Sequence, residues 1–402
     1  MRMNLASEPP TLQHEGSRSR LPCKLVMFQP VLAWYRRAFF HKLRQRVRCL
    51  TVLHGKRPLP GELLGAESGI EGVNTVAVTH GRLGPAIWMP AMWHAVADRR
   101  YDVAAFSWNN RYLHLPAAMV RAKRSGMGVV LWGHGYSLSE SWVRRSYRNL
   151  LAVLADAIVT YNRRAARELL AAGIREDRVF VAPNALDSES IESAVKAWIK
   201  APEALRRFRD GLGLNTSPVA LHVSRLSNPA NLRVLVDVWR MVVSTVPNAR
   251  LLIIGDGPAK GDLVSQLGRS GLGGSVKCLG AMYDERAAAP YFLSARLVLH
   301  PVKIGLSLNH AMAYGVPVVT FDDASRHSPE FEALEHGVNG MVAPNGDSRA
   351  LAANAARLLL DGELAARLGY GAKETMRTGY SMDGMVDGFL AGVRKAQERR
   401  EP

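Results

Sequence analysis

The chain has 402 residues, 48% of them apolar, and a net charge of +17, which is ample material for two buried cores. Cys23, Cys49 and Cys278 are too few and too scattered for a disulfide framework or a zinc site, so a reducing compartment fits. No apolar run approaches the ~20 residues of a membrane span, and the polar opening stretch, 1–22, lacks the apolar centre of a secretory signal and reads as a disordered lead-in. The charge is lopsided: residues 1–186 hold 27 Lys and Arg against 12 Asp and Glu, and the remainder 25 against 23. The first half therefore reads either as a plain basic domain or as one with an anionic partner, lipid headgroups or a phosphorylated acceptor. Nucleic acid is not expected, because no recognised binding motif accompanies the charge.

Along the first half, short apolar runs at 25–28, 49–53, 75–78, 103–106, 129–132, 157–160 and 179–182 read as strands. Helical periodicities at 32–46, 89–97, 115–124, 142–154 and 163–172 fall between them. Strand–helix alternation implies a parallel sheet covered on both faces. Asn184 to Asp187 closes this unit, and a charged helical stretch at 188–209 bridges to the next. There, strands are expected at 219–223, 251–254, 276–279, 297–299 and 316–320, with 341–343 weaker, then helices at 348–360, 363–375 and 382–398. The reading is α/β, two doubly wound Rossmann-like domains facing across a cleft. They span 23–187 and 216–380, with a linker at 188–215 and a terminal helix, 381–402, packing back on the first domain.

The stretch from His300 to Thr320 carries the most chemistry. A strand ends at His300, Gly305 lets the backbone approach a partner closely, helical spacing runs from Leu306 to Tyr314, and Gly315 with Pro317 ends it. A turn of this kind presents free amides and a positive helix end at the carboxyl edge of a parallel sheet, where phosphate binds. Arg225, just past the strand at 219–223, can fork onto phosphate oxygens; a surface ion pair is the plainer reading. Gly255-Asp-Gly257 follows the next strand, but the following glycine, Gly261, comes one position too late for a dinucleotide fingerprint. His134, between Gly133 and Gly135 after a strand, is either structural or a cleft residue. Glu330 and Glu332 near His327 lack a third ligand, so no metal is expected. Trp34, Tyr35, Phe39 and Leu43 recur at helical spacing with Arg36, Arg37, Lys42 and Arg44 between them. This is either a packed helix with a solvated basic face or a surface that leans on anionic lipid. Residues 142–148 add a second basic aromatic patch.

Four motifs in order carry a resemblance: Ser-Arg-Leu at 224–226, Ile-Ile-Gly-Asp-Gly-Pro at 253–258, Gly-Leu-Ser-Leu-Asn-His-Ala-Met-Ala-Tyr-Gly-Val-Pro-Val-Val at 305–319, and Glu-His-Gly-Val-Asn-Gly-Met-Val at 335–342. They resemble the nucleotide-sugar-binding half of family 4 retaining glycosyltransferases, built as two facing Rossmann-like domains, the GT-B fold. Phe28-Gln-Pro, Tyr35-Arg-Arg, Phe39-Phe40, Trp132-Gly-His-Gly135 and Asn184-Ala-Leu-Asp187 extend it more weakly into the first half. The resemblance implies that Arg225 grips the donor diphosphate, with Gly255 on the same side, and that amides of Ile304, Gly305 and Leu306 face it. It places Glu332 near the nucleotide and His134 near the reacting centre. It further implies a nucleotide-diphosphate sugar as substrate, no separate cofactor, and a glycan or lipid-linked acceptor held by the first domain. The setting is cell-surface polysaccharide assembly at the inner, cytoplasmic face of the membrane. Two departures stand out. Ala230 occupies the place of a lysine, for which Arg233 or Lys303 would have to substitute. Val302 and His310 occupy the places of two glutamates, of which the histidine can still bond ribose hydroxyls. A catalytically weak relative serving as an assembly partner is the alternative; a nicotinamide oxidoreductase lacks the glycine fingerprint.

Overall fold

A computed structural model describes residues 20–56, 69–84, 86–135 and 142–398. Most of the expected lead-in lies outside these residues, but Leu21 and Pro22 already belong to the first strand. In the first domain β1 (Leu21–Gln29), β2 (Val47–Gly55), β3 (Asn74–Val78), β6 (Val103–Ser107), β7 (Gly128–Gly133), β8 (Ala157–Thr160) and β9 (Val179–Val181) form a parallel sheet, in the order β3-β2-β1-β6-β7-β8-β9. A small antiparallel hairpin of β4 (Gly81–Leu83) and β5 (Ala86–Trp88) hangs beside it; three-residue strands leave too little alternation for sequence to show. The helices are α1 (Arg37–Arg46), α2 (Pro90–Ala95), α3 (Leu115–Arg124), α4 (Trp142–Leu154) and α5 (Arg163–Ala171).

Successive side chains of a strand point to opposite faces, and here both sets are apolar. Val26, Phe28, Ala104, Phe106, Val129 and Leu131 pack with α2, α3 and α4. Leu25, Met27, Val103, Ala105, Val130 and Trp132 pack with α1 and with the last helix of the chain. That helix, α14 (Met382–Glu398), buries Met385, Phe389, Leu390 and Val393 in the first domain. It lies very close to the sheet: a Cβ on Gly388 would sit 2.2 Å from the Val181 carbonyl oxygen. The expected single helix at 32–46 is a 3₁₀ turn, Trp34–Arg36, followed by α1.

The linker is two helices, α6 (Ser188–Ile199) and α7 (Pro202–Gly211), broken where Pro202, which has no amide hydrogen to donate, opens the second. The second domain holds β10 (Val219–Val223), β11 (Arg250–Ile254), β12 (Val276–Gly280), β13 (Leu297–Leu299), β14 (Val318–Phe321) and β15 (Gly340–Ala343), in the order β12-β11-β10-β13-β14-β15. The remaining helices are α8 (Pro229–Thr245), α9 (Lys260–Arg269), α10 (Glu285–Ser294), α11 (Leu306–Ala313), α12 (Ser348–Leu360) and α13 (Gly362–Gly379); the first three were not anticipated from sequence. One sheet face packs with α8, α9 and α12 and the other with α6, α10, α11 and α13. In both sheets chain order reverses at the centre, β1 to β6 and β10 to β13, and a ligand crevice forms outside such a reversal.

Candidate active site in the cleft between the domains

Three loops at the carboxyl edge of the second sheet are tied together. The Ser224 amide donates to the Ile254 carbonyl (3.1 Å), the Leu226 amide to Asp256 (3.0 Å) and the Gly255 amide to Gly280 (2.8 Å). Gly255 has φ +153°, and a Cβ there would lie 1.9 Å from the Ser224 carbonyl oxygen. Only glycine allows that approach, so Gly255 shapes the loop that carries the exposed Arg225.

Beneath this loop lies a layer of neutral histidines that sequence reasoning passed over. His222 is 1% exposed. Its Nδ1–H donates to the Leu299 carbonyl (2.9 Å), and its Nε2 accepts from the Ser224 hydroxyl (2.7 Å). The His300 ring stands 4.9 Å from it and donates through Nδ1 to the Val302 carbonyl. Burial lowers the His222 pKa to about 4. Burial, then the neighbouring His222, lowers that of His300 to about 3. His327 accepts the Ile304 amide at Nδ1 (3.1 Å) and donates through Nε2 to the Phe321 carbonyl (2.9 Å). One expectation is thereby corrected: the Ile304 amide turns inward and is spent on His327. The start of α11, at Leu306, has Gly305 as its N-cap and no side-chain cap, and the Leu308 amide donates to the Gly305 carbonyl (2.8 Å). Lys303, two residues earlier, is exposed.

His310 lies one turn into α11 and is not left open. Its Nε2 lies 2.9 Å from Glu285 Oε2, which also accepts from the Tyr314 hydroxyl (2.7 Å). Burial opposes ionisation of Glu285, but His310 and Tyr314 outweigh it and hold the carboxyl below its usual range. Glu332 turns to the other domain, where it accepts the Arg164 amide at the start of α5 (3.3 Å). The deeper carboxyl is Glu330, 3% exposed. Its Oε1 accepts from Asn184, its Oε2 has no partner among the described residues, and burial raises its pKa. Asn309 of α11 donates to the Asn184 carbonyl (2.7 Å), completing a polar seam between the domains.

From the first domain, His134 follows β7 into the cleft, its ring 5.0 Å from that of Tyr161. His134 is exposed at the cleft surface, yet the crowding of the cleft walls, then the charges of Arg36 and Lys303, lower its pKa from the ordinary histidine value. Among the described residues, no group of His, Cys, Asp or Glu could hold a metal.

The basic residues assigned to a membrane face need correction. Arg36 is 7% exposed, with its guanidinium carbon 4.7 Å from the Trp132 ring centre and 4.9 Å from that of Tyr161. Lys42 pairs with Glu189 (2.7 Å) and Asp383 (3.1 Å), and Arg44 donates to the Gly72 carbonyl. Of the four only Arg37 is exposed. Arg36, Lys42 and Arg44 are taken up by protein because α1 packs beside α14 on the same face of the sheet, a neighbour 341 residues away in sequence at the Lys42–Asp383 pair that no local pattern reveals. The second basic patch behaves differently: on α4, Trp142 is 78% exposed, Val143, Leu150 and Val153 are exposed, and Arg144 and Arg145 stand beside them.

Two family descriptions match the chain: Glycosyl transferases group 1 over residues 217–361 and Glycosyltransferase Family 4 over residues 40–190. The chain belongs to glycosyltransferase family 4. It is 25% identical over 219 residues to the N-acetyl-alpha-D-glucosaminyl L-malate synthase of Bacillus anthracis, covering 54% of this chain and 55% of that one. It is 33% identical over 147 residues to an amylovoran biosynthesis glycosyltransferase of Erwinia amylovora, covering 34% and 35%. The chain thus spans about half the length of the first relative and a third of the second. The crystal structure of Anabaena Alr3699/HepE with UDP superposes with a TM-score of 0.70 at 20% identity, covering 91% of this chain and 98% of that one, which establishes the GT-B fold. Both halves of this family 4 chain are therefore accounted for, each by its own description.

Proposed function

We propose that this protein is a retaining glycosyltransferase that moves a sugar from a nucleoside-diphosphate donor to a hydroxyl of a glycan or lipid-linked acceptor. One observation carries the reading. Arg225 follows β10, Lys303 and the start of α11 follow β13, the neighbouring strand, and the charge of Lys303 reaches His134 of the other domain. That is a seat for a diphosphate facing a polar reaction chamber. The anomeric carbon–oxygen bond to the β-phosphate breaks and its electron pair stays on the phosphate. The acceptor oxygen bonds to the anomeric carbon on the same face, and its proton passes to the departing phosphate oxygen. Arg225, Lys303 and the helix end stabilise the charge that develops there, and no carboxylate pair is needed. A neutral His134 can accept a hydrogen bond from a sugar hydroxyl, which a protonated ring could not. Glu332 and the His310–Glu285 pair border the nucleotide side.

The amylovoran relative is named for polysaccharide biosynthesis, and we place this protein in cell-surface polysaccharide assembly at an anionic membrane surface. Support comes from α4, whose exposed Trp142, Val143, Leu150 and Val153 flank Arg144 and Arg145: apolar side chains to enter the headgroup region and cations to meet it. No helix among the described residues is long and apolar enough to cross a membrane, so contact would be peripheral. The test is incubation with a panel of nucleotide sugars, with and without lipid extract, reading nucleoside diphosphate release. Release from one donor, stimulated by lipid, is expected. Tight nucleotide binding without release would favour the binding-only alternative.

A further inference from the structure

The first domain carries a cation that the proposed reaction has not used. Arg36 is almost fully buried. A buried arginine is ordinarily paired with a carboxylate, because an unpaired buried charge costs several kcal/mol. Among the described residues Arg36 makes no ion pair; its contacts are the rings of Trp132, Tyr161 and Tyr35 and the Met385 sulfur at 3.7 Å, and the buried Glu330 carboxyl feels its charge without a hydrogen bond to it. Stacking occupies the faces of a guanidinium, whereas its N–H donors lie in its plane. The rings therefore fix the group and leave hydrogen-bonding capacity unused. The place is not remote: Tyr161 touches both Arg36 and the His134 ring, at 4.9 and 5.0 Å. His134 in turn feels Lys303 of the second domain.

We propose that Arg36 is a phosphate-binding residue, so that a phosphate group beside His134 is held between cations from both domains. This rests on the glycosyltransferase reading and deepens it. The position that resemblance assigns to a phosphate-neutralising lysine is Ala230, in the first turn of α8, and Arg36 supplies a charge from the opposite wall. It also gives the cleft a reason to close, since the phosphate draws the two domains together. Lys42 and Arg46 do not compete for the role, being paired with Glu189, Asp383 and Asp387.

The phosphate belongs either to the donor diphosphate or to a lipid-linked acceptor, and the assay separates the two. Calorimetry with inorganic pyrophosphate, with uridine, guanosine and adenosine diphosphates, and with a short polyprenyl diphosphate in micelles compares the unmodified protein with Arg36→Gln and Arg36→Lys. Arg36→Gln should weaken pyrophosphate about 10-fold or more, the range for a charged hydrogen bond, while Arg36→Lys recovers much of it. An equal loss for the best nucleoside diphosphate assigns the site to the donor; a loss for pyrophosphate and the polyprenyl compound that spares the nucleoside diphosphates assigns it to the acceptor. Unchanged affinity for all probes, with melting preserved, overturns the proposal. Should Arg36→Gln fail to fold, the unmodified protein gives the answer through the His134 ring proton resonances. Pyrophosphate offsets the charges of Arg36 and Lys303 and should raise the titration midpoint; an unmoved midpoint at saturating pyrophosphate overturns the proposal. Pyrophosphate binding that depends on Arg36 without any sugar transfer would sink the glycosyltransferase reading and leave this one standing.

Discussion

Acidification should destabilise the second domain through its buried histidines. His222 titrates at about 4 and His300 at about 3 in the fold, against an ordinary 6.5. Both are neutral in the folded state because burial disfavours the charged ring, and this outweighs the hydrogen bonds they donate to the Leu299 and Val302 carbonyls. The unfolded chain takes up their protons as the pH drops through 6.5, whereas the fold refuses them until near 4. Their contribution is thus complete above about pH 6.5 and declines as the pH falls toward 4. Between pH 7 and 5 the linkage is worth about 2 kcal/mol for each histidine, about 4 kcal/mol together. The rings face each other, so the second proton is resisted further by the first. The assay is urea unfolding followed by fluorescence at pH 7, 6 and 5, on the natural protein and on His222→Gln. The variant should be weaker at pH 7, having lost a paired buried ring, but should show about half the pH dependence. A stability that is flat from pH 7 to 5, or a dependence undiminished in His222→Gln, would refute the reasoning.

Three further outcomes are expected. Arg225→Ala should weaken nucleoside diphosphate binding by roughly 1.5–3 kcal/mol, the cost of a charged hydrogen bond, as measured by calorimetry; unchanged affinity removes Arg225 from the site. A chelator should leave nucleotide affinity unaltered, since the proposed seat consists of cations, amides and a helix end, and a collapse on adding it would contradict that arrangement. Replacing Trp142 and Leu150 with serine and Arg144 and Arg145 with glutamine should release the protein from anionic vesicles at low salt while sparing nucleotide binding. Each basic residue near such a surface contributes about 1 kcal/mol and is screened by salt; equal binding to neutral and anionic vesicles would reduce the charge asymmetry to a solubility feature.

The sequence by itself determined the architecture and the identity of the second-domain loops. Short doubly apolar runs such as those at 103–106 and 129–132, alternating with helical stretches, read as strands buried on both faces, and Gly255, Gly305 and Gly315 mark turns. The places of Arg225 and His134, each just past the end of a strand, were legible as well. What only the tertiary structure decided were the partners. Whether Arg36 and Lys42 face lipid or protein depends on α14, which arrives from the far end of the chain to pack on the first sheet. Whether the Ile304 amide is free depends on His327, and whether Glu332 meets nucleotide or the start of α5 depends on how the two domains meet. Glu330, two residues before the glutamate singled out from sequence, became the buried carboxyl because the seam with Asn184 closes over it. Periodicity reports which face of an element is apolar; it carries no information about which distant side chain fills the space above a charge, and in this cleft that choice sets the chemistry.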